Sequence, residues 1–138
     1  MKREINKKRY TIISAINEKK IVHYEIIKNS ANAIDFKNFI INLVNKGINN
    51  KYLLLDNARI HHATIIKDYI KDTNNKLLFN VPYTPEFNPI EHVFARIKNI
   101  LRLKNNNSVC RLLKNIKNAF NSITSAELTN YYKKCLYT

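Results

Sequence analysis

The chain has 138 residues, 45% of them apolar, which is enough for one domain with a hydrophobic core. Its 24 Lys and Arg against ten Asp and Glu give a net charge of +14, which favours nucleic acid as a partner over an anionic membrane. The single glycine excludes Gly-rich phosphate loops and the nucleotide-cofactor enzymes that use them. Because no apolar run is long enough for a membrane span or a secretory signal, we expect neither membrane insertion nor secretion.

The first half of the chain predicts a hairpin, a helix and a short strand. "RYTIISAI" (9–16) and "IVHYEII" (21–27) are rich in β-branched residues and flank the turn "NEKK". "SANAIDFKNFIINLVNKG" predicts a helix that ends near Gly47. "KYLLLD" (51–56) is an almost wholly apolar run, typical of a buried parallel strand, and it ends in Asp56. The apolar residues expected on one face of the helix are Ile34, Phe36, Phe39, Ile40, Leu43 and Val44.

The second half predicts one more strand and four helices. "HATIIKDYIKD" (62–72) has helical periodicity, "KLLFNVP" (76–82) indicates a buried strand, and a helix is expected over about 89–103. Of two further helices, the first carries its apolar face from Val109 to Ile123, and the second begins with Thr124 and Glu127 at capping-box spacing. The order β-β-α-β-α-β-α-α-α predicts an α/β domain with a mixed sheet and a helical C-terminal end.

Two acids follow the two predicted buried strands. Asp56 comes directly after one, and Glu91 comes after the turn that follows the other. If the strands are parallel neighbours, both carboxylates converge on one edge of the sheet, where their hard oxygens suit Mg²⁺ or Mn²⁺. Each acid also has a purely structural interpretation, because Asp56 can cap a helix and Asn88, Pro89 and Glu91 form a capping-box variant.

Basic and histidine side chains surround these acids in the sequence. Lys98 and Arg102 lie further along the helix from Glu91 on roughly the same face, so we expect them to contact phosphates. His61 and His62 are candidates to contact DNA or to orient Asp56. A zinc hydrolase that uses these histidines with His92 is a weaker alternative, since no HExxH spacing is present. Another weaker alternative is a nucleic-acid contact in which the tyrosines of "TNYYKKC" stack on bases.

"LLLDNARIHHA" and "VPYTPEFNPIEHVFARIK" together resemble the second and third catalytic motifs of the mariner-type DDE transposases, a superfamily that includes bacterial insertion-sequence relatives. The 34 residues between Asp56 and Glu91 match the spacing typical of that group. The resemblance implies an RNase H-like domain over 1–138, with a strand–helix core at about 9–103 and C-terminal helices at about 108–136. It also implies that Asp56 and Glu91 are the second and third acids of a site that uses Mg²⁺ or Mn²⁺.

The same resemblance implies the partners: transposon-end and target DNA, and a second copy of the chain to pair two ends. It implies a location in the bacterial nucleoid, or in the nucleus of a eukaryote. The family's first catalytic Asp lies on a central strand just before the one matching "RYTIISAI", and "MKREINKK" contains no Asp. We therefore expect a truncated catalytic domain that is inactive on its own. The alternatives are a non-catalytic nucleic-acid-binding protein on the same scaffold and another RNase H-like nuclease, such as a resolvase.

Overall fold

The computed structural model of the chain describes residues 10–56, 61, 63–79 and 88–136. Within these ranges the order of elements is the one predicted from the sequence. The strands are β1 (Tyr10–Ile16), β2 (Ile21–Lys28), β3 (Tyr52–Leu55) and β4 (Lys76–Phe79). The helices are α1 (Ala33–Asn45), α2 (Thr64–Lys71), α3 (Pro89–Arg102), α4 (Val109–Ser122) and α5 (Ser125–Leu136). None of these described helices has the length and apolar character needed to cross a membrane.

The chain divides into two compact units, and each is built from two stretches of sequence. The first unit consists of Met1–Ile13 and Tyr24–Pro82, and the second of Ser14–His23 and Tyr83–Thr138. The hairpin of β1 and β2 therefore contributes its base to the first unit and its tip to the second. The single domain expected over the whole chain remains a prediction.

Helix α1 supplies much of the core of the first unit. Its start is fixed by a capping box, in which the Asn32 side chain accepts from the Asp35 N–H at 2.9 Å and Asp35 accepts from the Asn32 N–H at 3.0 Å. Gly47 follows its end with φ of +101°, a conformation that glycine adopts without steric cost. Of the predicted apolar face, four residues are buried, Val44 is half-buried, and Ile34 in the first turn is 62% exposed. The buried residues are Phe36, Phe39, Ile40 and Leu43.

Strands β3 and β4 pair in parallel, as predicted, with Tyr52 opposite Lys76 and Leu55 opposite Phe79. The prediction that both strands are fully buried is wrong. Side chains alternate between the two faces of a strand, and only one face is covered within this unit. On the other face Tyr52 is 70% exposed and Leu78 is 52% exposed. The expected single mixed sheet is also not seen, because the described strands form two separate two-stranded sheets, β1–β2 and β3–β4.

The second unit is a helical layer joined to the hairpin tip. Helix α3 packs against both α4 and α5. Three side-chain hydroxyls of α5 donate to main-chain carbonyls of the tip: Ser125 to Lys19 at 2.6 Å, Thr129 to Glu18 at 3.0 Å and Tyr132 to Ile16 at 3.3 Å. These bonds satisfy carbonyls of the turn, where no strand partner follows. The core of this unit consists of Val93, Ile97, Ile116, Ala119, Phe120, Leu128 and Cys135.

Candidate active site

Asp56 lies directly after β3, at the carboxyl end of the parallel pair that β3 forms with β4. This edge is the place where open α/β sheets bind ligands, because the loops that follow the strands leave a crevice there. The Asp56 side chain is 49% exposed, so its carboxylate is accessible to a ligand from solvent. The role of Asp56 as a metal ligand stays a prediction.

His61 holds the Asp56 carboxylate. Its Nδ1 lies 2.8 Å from Asp56 Oδ1 and 3.2 Å from the Asp56 main-chain oxygen. The imidazole ring stacks on the buried ring of Phe36, with centroids 4.3 Å apart and an angle of 26° between the planes. Packing on one side and hydrogen bonding on the other restrict the His61 ring, and the ring in turn restricts one carboxylate oxygen. Of the two predicted roles for a histidine here, orienting Asp56 is the one that this contact supports.

Glu91 occupies the third position of α3, at the start of the second unit's first helix. The predicted N-cap at Asn88 is confirmed: its side chain accepts from the Ile90 N–H at 3.3 Å, and its main-chain oxygen accepts from the Glu91 N–H at 3.0 Å. Pro89 stands at the first helical position, where its fixed φ suits a helix start. The Asn88 side chain thus bonds one residue earlier than in a capping box, which would use the N–H of Glu91.

A network between α3 and α5 fixes the beginning of α3. Arg96 Nε lies 3.2 Å from Glu127 Oε2, and the Tyr131 hydroxyl lies 3.5 Å from the same oxygen. The Tyr131 ring stacks on His92, with centroids 5.5 Å apart and planes inclined by 18°. His92 directly follows Glu91, so the contact restrains the turn that carries the candidate acid. The other oxygen, Glu127 Oε1, accepts from the Thr124 N–H at 3.1 Å, which confirms the predicted capping box of α5.

The charge of Glu127 is stabilised by this network. Burial raises the pKa of its carboxyl, but the bonds from Thr124 and Arg96 outweigh burial and hold the pKa below its ordinary value. The pKa of Tyr131 is raised, first because the hydroxyl is buried and second because the Glu127 charge is close. Glu127 is therefore ionised and Tyr131 neutral at physiological pH, which are the states that the Arg96 pair and the Tyr131 hydrogen bond require.

The predicted DNA contacts have different outcomes. Lys98 and Arg102 are exposed on α3, seven and eleven residues after Glu91, which places all three on one face of the helix. Their proposed contact with phosphates stays a prediction. His61 is directed to Asp56, as described above. His62 lies outside the described residues. The convergence of Asp56 with Glu91 also remains a prediction, since the two acids belong to different units.

The competing site assignments find less support. Within residues 10–56, 61, 63–79 and 88–136, no three His, Cys, Asp or Glu side chains form a group that could hold a metal ion such as zinc. Tyr131 stacks on His92 and the Tyr132 hydroxyl donates to the Ile16 carbonyl, so both tyrosines have structural contacts, and base stacking by them stays a prediction. Asp35 takes part in the capping box of α1. Cys110 is exposed and Cys135 is buried.

A sequence profile of the DDE superfamily endonucleases matches residues 1–112, which include both candidate acids. The chain belongs to the DDE superfamily endonucleases. The resemblance to mariner-type transposases is thereby confirmed at the level of the family. A comparison with curated protein sequences finds no match.

Solved structures of a mariner transposase share the fold of this DDE endonuclease chain. The catalytic domain of Mos1 transposase with raltegravir and Mg superposes with a TM-score of 0.82 at 20% identity, over 95% of this chain and 72% of that one. The Mos1 strand transfer complex and the Mos1 paired-end complex with the left transposon end give TM-scores of 0.79 and 0.82, at 22% and 20% identity. These matches cover 91% and 93% of this chain but only 39% and 40% of theirs, so the chain spans about two fifths of those transposases.

Sequence reasoning offered His61 as a residue that orients Asp56, but it did not find two further contacts near the candidate acids. The ring of Phe36 was predicted as core, and nothing in the local pattern pairs it with His61, 25 residues away. Glu127 was predicted only as a cap, whereas its second oxygen also binds Arg96, 31 residues earlier. Neither partner lies within one helical turn of the other, so no local spacing rule could have indicated these pairs.

Proposed function

We propose that this chain is the catalytic domain of a DDE transposase, in which Asp56 and Glu91 supply two of the acids for metal-dependent DNA cleavage and strand transfer. The observation that carries the proposal is the family match over residues 1–112, which contains both acid motifs. The position of Asp56 at the carboxyl end of β3 and its contact with His61 support its role. The fold shared with the Mos1 catalytic domain supports the same assignment.

The donors that these residues offer fit a hard divalent cation. Carboxylate oxygens are the ligands that Mg²⁺ and Mn²⁺ prefer, and such sites use few protein ligands and leave the rest to water and substrate phosphates. An outer-shell bond from His61 to the Asp56 carboxylate is the usual way in which a ligand oxygen is fixed in direction. When bound, the metal would activate the attacking oxygen and stabilise the charge that develops on the scissile phosphate. Mos1 structures with Mg and with Mn support this choice of metal.

The remaining roles belong to residues that hold DNA. Lys98 and Arg102 share a helical face with Glu91 and would neutralise phosphates beside the site, in a protein whose net charge is +14. The substrate would be transposon-end and target DNA, bound by two copies of the chain, and the Mos1 complexes with transposon ends support this. His61 acts on Asp56 rather than on DNA in this proposal.

Metal binding tests the proposal without requiring the chain to cleave DNA. We expect wild type to bind Mn²⁺, measured as the loss of the free-ion signal in electron paramagnetic resonance. The double variant Asp56→Ala, Glu91→Ala should bind none, while Asp68→Ala, Asp72→Ala serves as a control that removes the same charge from α2. Equal binding by wild type and the Asp56, Glu91 variant would refute the site. It would favour the non-catalytic nucleic-acid-binding alternative.

A further inference from the structure

A groove in the first unit runs between α2 and the strand β4, and Asp56 is not among the residues that line it. Its cavity volume is about 480 Å³. The lining residues combine cationic side chains with an apolar floor: Lys67, Lys71 and Lys76, then Ile70, Leu77 and Phe79, with Thr73 and Asn75 between them. Neither the family match nor the sequence motifs assign a role to this surface.

Three ammonium groups give the groove its charge. Lys67 Nζ lies 6.0 Å from the centre of the Phe79 ring, so a cation stands over the aromatic part of the floor. Lys71 Nζ lies 4.0 Å from Asp68 Oδ1, but both side chains are well exposed and such a pair contributes little. The Lys71 ammonium can therefore turn to a phosphate at small cost. The acids of α2, Asp68 and Asp72, are not among the residues that line the groove.

The two polar residues of the groove are committed to the protein itself. Thr73 donates to the Ile70 carbonyl at 2.8 Å and accepts from the Asn75 N–H at 3.2 Å. Buried Asn75 accepts from the Lys51 N–H at 3.0 Å and donates to the Ile48 carbonyl at 3.1 Å. These bonds tie the end of α2 to the beginning of both strands, so the groove is formed before any ligand arrives. They also occupy the polar atoms of Thr73 and Asn75, so the groups that a ligand meets in the groove are the lysine ammonium groups and the apolar side chains.

We propose that this groove binds a single strand of DNA, with its phosphates on Lys67, Lys71 and Lys76 and a base on the apolar floor at Phe79. A cationic track beside an aromatic platform is the combination by which proteins hold single strands without reading their sequence. The choice of DNA among polyanions rests on the proposed function. A duplex presents phosphates to the lysines but keeps its bases stacked inside, so it leaves the apolar floor unused.

The test measures binding of a fluorescein-labelled oligothymidine 12-mer by anisotropy, in EDTA so that no metal site contributes. We expect the triple variant Lys67→Gln, Lys71→Gln, Lys76→Gln to bind more weakly and to reduce the slope of log K against log salt by about 2, since each phosphate contact in a single strand contributes about 0.7. The matched control is Lys104→Gln, Lys114→Gln, Lys117→Gln, which removes the same charge from exposed positions. An equal loss of oligothymidine affinity in the control variant would refute binding in the groove, because it would show that only the net positive charge of the protein matters.

A second variant tests the base contact. Phe79→Leu keeps an apolar side chain, and we expect it to bind oligothymidine about tenfold more weakly, within the range known for one base stacked on an aromatic ring. It should bind an abasic 12-mer as wild type does, because that probe has phosphates without bases. An equal loss on both probes would overturn the stacking. Thermal melting of Phe79→Leu, compared with wild type, checks that the chain remains folded under the assay conditions.

Three competitors separate the possible ligands and the two proposals. Duplex DNA or polyglutamate that displaces oligothymidine as well as unlabelled oligothymidine does would overturn the single-strand assignment. The Asp56→Ala, Glu91→Ala variant should bind oligothymidine normally, since neither acid lines the groove. If the lysine variants bind like wild type while Mn²⁺ binding depends on the two acids, the groove fails and the proposed function stands. If wild type binds no DNA of any kind, the function on DNA fails as well.

Discussion

Helices α3 and α5 begin with the same pattern in sequence but with different bonds in the structure. "NPIE" and "TSAE" each place a polar N-cap three residues before a glutamate. In α5, Thr124 and Glu127 exchange hydrogen bonds, with the Thr124 Oγ1 accepting from the Glu127 N–H at 3.1 Å. In α3, the Asn88 side chain accepts from Ile90 instead. This half of the α3 cap is therefore independent of the Glu91 side chain.

The structural role of Glu127 is explained by its hydrogen-bond partners. Both oxygens of Glu127 have protein partners, one in the α5 cap and one in the Arg96 pair, and its lowered pKa reflects them. Asp35 is likewise explained by the capping box of α1. Three acids stand at the third position of a described helix, and at Glu91 alone among them the N-cap side chain accepts from the N–H of the preceding residue. The same spacing in sequence thus gives two different caps.

The largest expected effect is on metal binding. Glu91→Gln should lower Mn²⁺ affinity by more than the roughly 10–100-fold that outer-shell changes cause, because it removes a proposed ligand itself. Glu127→Gln should leave Mn²⁺ affinity unchanged. Both substitutions are isosteric and remove one negative charge, so each is the control for the other. Similar Mn²⁺ affinities in the two variants, measured by electron paramagnetic resonance, would contradict the distinction between the two helix starts.

The next effect concerns the support of Asp56. His61→Leu should lower Mn²⁺ affinity about tenfold, since the bond from Nδ1 to the carboxylate is lost. His61→Asn should recover most of that affinity, because its amide N–H can stand near the Nδ1 position, whereas the longer His61→Gln should recover less. If His61 only packs on Phe36, His61→Leu should instead lower Mn²⁺ affinity the least of the three variants. Titration with Mn²⁺, beside melting curves for each variant, distinguishes these orders.

The order and type of the elements could be predicted from the sequence because each rests on local signals. The hairpin follows from two β-branched runs around "NEKK", and α1 follows from its apolar stripe and Gly47. The parallel pairing of β3 with β4 follows from their apolar runs and the helix between them. The exposure of Tyr52 and Leu78 could not be predicted, because an apolar run does not show which face a neighbouring element will cover.

The candidate acids could be found from sequence, but their surroundings could not. Asp56 and Glu91 stand out by motif and by spacing, which are properties of the chain alone. The sequence made His61 a candidate to orient Asp56, but it did not indicate that the ring stacks on Phe36. The Arg96 pair with Glu127 depends on how α5 packs on α3. Such contacts follow from tertiary structure, where spacing in sequence carries little information.

A smaller effect tests the caps themselves. Asn88→Ala and Thr124→Ala should each lower the free energy of unfolding by about 1 kcal/mol, the usual cost of losing an N-cap side chain. Double-mutant cycles then separate the two helix starts. The Thr124 hydroxyl also donates to Glu127 Oε1 at 3.2 Å, a bond that either substitution removes, so alanine at both should be non-additive by about 0.5 kcal/mol or more. Alanine at both Asn88 and Glu91 should add within about 0.5 kcal/mol. The free energies of unfolding are measured by urea denaturation. Coupling energies of equal size in the two cycles would contradict the difference between the caps of α3 and α5.

The smallest effect is the pH dependence of the Glu127 network. Its folded-state pKa lies below the ordinary value of 4.5, so the ionised form contributes stability that is fully present above about pH 4.5 and is lost as the pH falls through the folded pKa. Glu127→Gln should therefore be less stable than wild type by about 0.5 kcal/mol at pH 7, a modest figure because the Arg96 side chain is half-exposed. The difference should shrink as the pH falls below 4.5. Arg96→Gln, which removes the other partner, should show the same trend, and a difference that stays constant down to pH 3 in urea denaturation would refute the charged pair.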